Sequence, residues 1–157
     1  MVEVELSNSE ILNAAMWGCF RNVQSWKNAN DKHGANTERD GWQLNIMACL
    51  SEMAWSKHKR VYYNASIGNY NAADVDDYYQ IRASSIIYRN NACLRFHPSD
   101  DNEKPYILAL VGMGKVVFSG WLWGAEGKQH KYWCDKWNVG RPAYFVEQSD
   151  LRPIETL

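Results

Sequence analysis

The order of its periodic segments constrains this chain most: two stretches with helical spacing come first, and short β-prone runs then follow one another with no helix between them. The first helical stretch opens on Ser7-Asn8-Ser9-Glu10, a capping box in which Ser7 and Glu10 satisfy each other's backbone N–H groups. Ile11, Leu12, Ala15, Cys19 and Val23 then recur at helical spacing, until Asn, Asp and Gly gather in 28–34. This predicts a helix over about 8–30. A second is predicted over about 41–59, starting at Asp40 or Trp42, with Ile46, Leu50, Met53 and Ala54 as its apolar stripe. Lys57, Lys59 and Arg60 close it, where cations suit the negative end of the helix dipole.

The pattern then changes period. Residues 60–63 are β-prone, and 64–73, rich in Asn, Gly and Ala, read as a loop. Runs 78–85 and 93–97 read as strands joined near Asn90-Asn91. Runs 106–111 and 115–123 read as a hairpin around Gly112-Met113-Gly114, and 143–146 adds one more strand. Strands in direct succession favour hairpins. The expected class is therefore α+β, with a mixed, mainly antiparallel sheet over about 61–146 packed against the N-terminal helices. With 157 residues and 13% aromatics, residues 1–157 are expected to form one domain with a sizeable core.

A formal net charge of -1 argues against bulk electrostatic binding of DNA, but not against a carboxylate site that holds a divalent ion. The basic runs Lys57-His58-Lys59-Arg60 and 128–131 have a plain reading as a solvated helix end and a solvated loop. Cys19, Cys49, Cys93 and Cys134 are scattered, which suits a reduced, cytoplasmic protein. His130 and Cys134 can share a helix face, but the spacing offers no further zinc ligands. The N-terminus lacks the regions of a signal peptide, and the longest apolar run, 106–111, is of strand length, so no membrane association is expected.

Chemistry can be carried by residues 74–82 together with Glu52. If 74–82 is extended, Asp74, Asp76, Tyr78, Gln80 and Arg82 share one face. A solvent-exposed strand would show the same parity. Glu52 is flanked at i±3 and i±4 by Ala48, Cys49, Trp55 and Ser56, which suits a buried or cleft-facing carboxylate; at the edge of the apolar stripe it would instead face solvent or pair with Lys59 or Arg60.

This order, a helix bearing Glu, then Asp, then a strand with (E/Q)-x-(K/R), resembles the PD-(D/E)XK nuclease-like superfamily. It is similar above all to small phage and prophage proteins with that core. The similar stretches are Glu10-Ile11 through Gly18 and Arg21, Ser51-Glu52-Met53-Ala54, Asp74-Val75, Gln80-Ile81-Arg82, Gly120-Trp121, Tyr144-Phe145-Val146 and Leu151-Arg152-Pro153. The resemblance implies a restriction-endonuclease-like core and Mg²⁺- or Mn²⁺-dependent hydrolysis of DNA phosphodiester bonds. Asp74 is then the principal metal ligand, Gln80 stands at the strand carboxylate, the Ile81 carbonyl is a further ligand, Arg82 replaces the Lys, and Glu52 is the helix carboxylate. Asp76 and Asp77 are alternatives to Asp74.

Two departures matter. Gln80 is neutral, which weakens metal binding, and Arg82 stays protonated, so it can clamp a phosphate but cannot act as a base. The resemblance therefore leaves open three functions: a nuclease, an inactive relative that binds nucleic acid or inhibits a host defence protein, and an accessory protein with a solvated polar strand. The inhibitor would expose an aromatic patch drawn from Trp121, Trp123, Trp133 and Trp137, although Trp121 and one of Trp133 and Trp137 suit a core better. Many proteins of this fold are homodimers.

Overall fold

The computed structural model describes residues 1–27, 41–65, 74–136, 138 and 140–157. The capping box forms as expected. The Ser7 N–H donates to the Glu10 carboxylate at 2.6 Å, and the Glu10 N–H to the Ser7 hydroxyl at 3.3 Å. Helix α1, Asn8–Lys27, follows it. Its inner stripe differs from the expected one. Ala14 and Gly18 are buried and Ile11 and Trp17 pack against the core, whereas Leu12, Met16 and Phe20 are exposed. The reason is close approach of a neighbour: a Cβ on Gly18 would lie 2.6 Å from the Ile46 Cα. The face that touches α2 is thus made of small and polar residues.

Helix α2, Gly41–Lys59, lies between α1 and the sheet, and from Cys49 to Ser56 it is buried almost all round. Arg60 ends it at φ 58°, with the Val61 N–H returning to the Ser56 carbonyl at 3.0 Å. The run 57–60 is therefore a helix end: Lys57 pairs with Glu10 at 2.8 Å, and the Lys59 ammonium reaches the Leu157 carbonyl at 2.9 Å.

The strands are β1 Val2–Glu5, β2 Gln80–Ser85, β3 Cys93–Phe96, β4 Pro105–Val111, β5 Lys115–Trp123, β6 Trp133–Cys134 and β7 Ala143–Glu147, with a short helix, α3 Gly124–Gly127, after β5. The fold is mixed α+β, as expected, but three strand assignments change. Residues 61–65 form no strand. Val2-Glu3-Val4-Glu5, to which the sequence reading assigned no element, pairs with β5, with Val2 and Val4 against the core and Glu3 and Glu5 outward toward Lys115. And β2 and β3 do not form a hairpin. β2 runs parallel to β4 in a sheet ordered β1-β5-β4-β2, while β3 belongs to a second sheet ordered β3-β7-β6. Parallel pairing requires a crossover, and residues 86–104 provide it while laying β3 on the far face.

The result is three layers. Met53, Trp55, Ile81, Ile107, Phe118 and Trp121 fill the core between the helices and the first sheet. Leu94, Phe96, Tyr106, Leu108, Leu110 and Val146 fill the core between the two sheets. β4 is covered on both faces and is buried along its whole length, which is why 106–111 reads as an unbroken apolar run. A bulge in β5 at Ser119 exchanges the faces: Phe118 and, three residues on, Trp121 both point to the helices. Among the described residues no helix is long and apolar enough to cross a membrane.

Candidate functional site

β2 is one of the two edge strands of the first sheet, and its alternation divides the expected constellation. Ile81 belongs to the core beneath α2, so Gln80 and Arg82, one residue to either side, project to the opposite face. Residues 74–79 are not extended, which corrects the parity expectation. They fold into a tight turn in which the Tyr79 carbonyl accepts from the Asp74 N–H at 2.9 Å and the Val75 N–H at 3.2 Å. Asp76 and Asp77 sit in the left-handed region at φ 54° and 51°. The turn brings the Asp74 carboxylate to this edge, where it accepts the Ile81 N–H at 2.6 Å.

On the helix face, Glu52 is only 3% exposed. Both of its oxygens are held by Arg21, at 2.6 and 2.7 Å, and the Tyr63 hydroxyl donates to one of them at 3.4 Å. Burial, reinforced by the charge of Asp74, pushes the Glu52 carboxyl up to about 7 against the pull of Arg21. Burial opposes the charge on Arg21, but its fork on Glu52 more than offsets this and keeps the guanidinium protonated. Cys49, beneath this pair, is pushed up to about 11 by burial.

On the other face, Arg82 reaches both oxygens of Asp100 at 3.1 Å and lies 5.0 Å over the Tyr106 ring. Asp100 also accepts the His97 N–H at 2.9 Å. Lys128 donates to the Asp100 and Pro98 carbonyls at 2.5 and 3.3 Å. Arg95 lies close enough to be held below its usual range, first by burial, then by the like charges of Arg82 and Arg141, with Asp100 acting the other way. Asp74 stands between the two faces. Burial raises its carboxyl, Arg82, the Ile81 N–H and Arg21 pull it down, and Asp100 pushes it up.

Of the expected site residues, the fold joins Asp74 to the Ile81 backbone and couples it electrostatically to Glu52 and Arg82. It does not bring Gln80 and Arg82 to the face that holds Glu52. The set Glu52, Asp74, Gln80 and Ile81 consequently does not fit a Mg²⁺ or Mn²⁺ shell. Glu52 has both oxygens engaged, Gln80 lies across the sheet, and one Asp74 oxygen is held by backbone. Among the described residues, no group of three or more His, Cys, Asp or Glu is arranged to hold a metal ion. The four cysteines are free, and His130 and Cys134 lie in a short 3₁₀ turn and on β6, not on a shared helix face. Comparison with family models, with curated proteins and with solved structures finds no match to this chain.

Of the four tryptophans considered for an aromatic patch, Trp121 is buried and donates from Nε1 to the Pro153 carbonyl and the Thr156 hydroxyl, each at 3.1 Å. Trp123 is partly exposed, Trp133 is exposed and packs on Tyr144, and Trp137 lies outside the described residues. Arg95 and Asp100 escaped the sequence reading, and Arg21 entered it only among the stretches that carry the resemblance, with no role. Arg21 lies three residues beyond Gly18 on the true inner stripe, a signal hidden while Leu12 and Cys19 are taken as that stripe. For Asp100, in a polar loop far along the chain from Arg82, no sequence signal exists.

Proposed function

We propose that this chain is a PD-(D/E)XK nuclease-like protein of the phage type that grips the phosphodiester backbone of DNA without cutting it. One observation carries this reading: the Arg82 guanidinium is held on both oxygens of Asp100 at 3.1 Å, on the sheet face that Glu52 does not reach, with Arg95 near enough to feel the charges of Arg82 and Arg141. Neighbouring like charges cost folding energy, and an anion received beside Arg82 and Arg95 relieves the cost. Guanidinium forks match phosphate oxygens in bidentate geometry, and Asp100 and the Tyr106 ring hold Arg82 in one orientation before any ligand arrives. Glu52, where a hydrolase of this type would present a metal-binding carboxylate, is neutralised internally by Arg21. The order Glu52, Asp74, Gln80-Ile81-Arg82, with β2 parallel to β4, supports a restriction-endonuclease-like core.

The test is fluorescence anisotropy of labelled DNA at several salt concentrations, with plasmid cleavage in Mg²⁺ or Mn²⁺ measured alongside. Binding should weaken steeply with salt, and Arg95→Ala with Arg141→Ala should weaken it roughly tenfold or more and lower the salt slope by about 2. Absence of binding at low salt would sink the reading. Cleavage that disappears in Asp74→Asn would overturn the non-cutting half of it and restore hydrolysis.

A further inference from the structure

A row of aromatic rings leads from the surface into the core beside this same sheet end. Tyr78 is 41% exposed on the Asp74–Tyr79 turn. Its ring meets Tyr79 edge-on at 4.9 Å and Trp123 at 6.3 Å, and Trp123 meets Trp121 at 5.4 Å. Tyr79 in turn meets the buried Trp55 at 5.4 Å. The inner rings are anchored by cations, with Lys59 over Tyr79 and Arg152 over Trp121. Edge-to-face packing fixes Tyr78 while leaving much of its ring in solvent. The turn that presents it is held by two consecutive left-handed residues, Asp76 and Asp77, both exposed, and such strain persists only where its surroundings impose it.

We propose that Tyr78 and Trp123 receive an unpaired nucleobase, which makes single-stranded nucleic acid the preferred ligand; this rests on the phosphate-gripping reading above. Three observations favour a base as the occupant. An aromatic face offers stacking to any base, and only an unpaired base exposes its own face. The carboxylates of Asp76 and Asp77 beside Tyr78 repel a phosphate placed there, but they accept hydrogen bonds from the exocyclic amino group of cytosine or adenine. Finally, the row and the phosphate site flank the same end of the first sheet from opposite faces: Tyr79 precedes Gln80 at the edge strand, and Trp123 pairs with Pro105, next to Tyr106, the ring beneath Arg82. A strand gripped at Arg82 and Arg95 can therefore turn one base over the sheet edge onto Tyr78.

The experiment compares a labelled single-stranded oligonucleotide of about a dozen nucleotides with the same sequence as duplex, using the full chain and the variants Tyr78→Ala and Tyr78→Trp. The single strand should bind roughly tenfold tighter than the duplex. Tyr78→Ala should abolish that preference and leave duplex binding unchanged, and Tyr78→Trp should retain it. Equal binding of both forms, or a preference that survives Tyr78→Ala, overturns the base site and leaves the phosphate site standing. Binding of neither form overturns both.

Discussion

Burying Glu52 beside Asp74 leaves a mark on stability that pH should reveal. An ordinary glutamate ionises near 4.5, whereas Glu52 in the fold is pushed up to about 7. The folded state therefore holds a proton that the unfolded state releases between these values, so the Glu52 contribution is fully present below pH 4.5 and is lost as pH rises through 7. Asp74, also raised, acts in the same direction. Glu10, lowered chiefly by Lys57, acts in the opposite direction, and its contribution disappears only as pH falls below 4.5. His58, lowered chiefly by burial, opposes Glu52 and Asp74 as pH rises toward 6.5, so the decisive comparison is that urea midpoints of Glu52→Gln should gain on those of the wild type from pH 5 to 7. A difference between the two proteins that stays constant over this range would contradict the assignment. Glu52 was legible because small and apolar residues surround it in sequence. Its partner was not, because Arg21 lies on another helix and only the packing of α1 on α2 makes them meet.

At the level of elements, α1 and α2 approach through glycine. Alanine is the better helix former by about 1 kcal/mol, so propensity alone makes Gly18→Ala stabilising. In this packing the added Cβ lies 2.6 Å from Ile46 backbone, which cannot yield as a side chain end can, and the expected outcome is a net loss of about 1–3 kcal/mol in urea unfolding. Unchanged or greater stability would show that the helices stand further apart. The helices themselves, the capping box and β4 and β5 were all readable, since each carries its own period or apolar run. The stripe of α1 was misread because counting apolar residues selects Leu12, which is 71% exposed, over Gly18, which is buried. The strand β1 was overlooked, although Val2-Glu3-Val4-Glu5 alternates cleanly. The bulge at Ser119 has no sequence signature, yet it decides which face Trp121 occupies.

Across the whole molecule, the C-terminal segment closes the first core. Arg152 bridges to Trp121, Ile154 is 2% exposed, and the Trp121 indole donates to Pro153 and Thr156. The Met1 ammonium also reaches Glu155 at 3.0 Å. Deletion of residues 151–157 should lower unfolding stability by at least about 2 kcal/mol, the order expected when one large apolar side chain loses its burial. An unaltered denaturation curve would show that the segment is dispensable. What the sequence determined by itself was local: helices with their caps, strands with their apolar runs, an α+β class, and the suspicion that Glu52 and Asp74 are special. Tertiary structure alone decided the parallel pairing of β2 with β4, the second sheet, and the fate of the acidic site. Periodicity describes which face of its own element a residue occupies, but not which face of the assembled sheet that becomes. Here the sheet passes between Glu52 and Arg82, and Asp74, bound at the edge strand, is coupled to both.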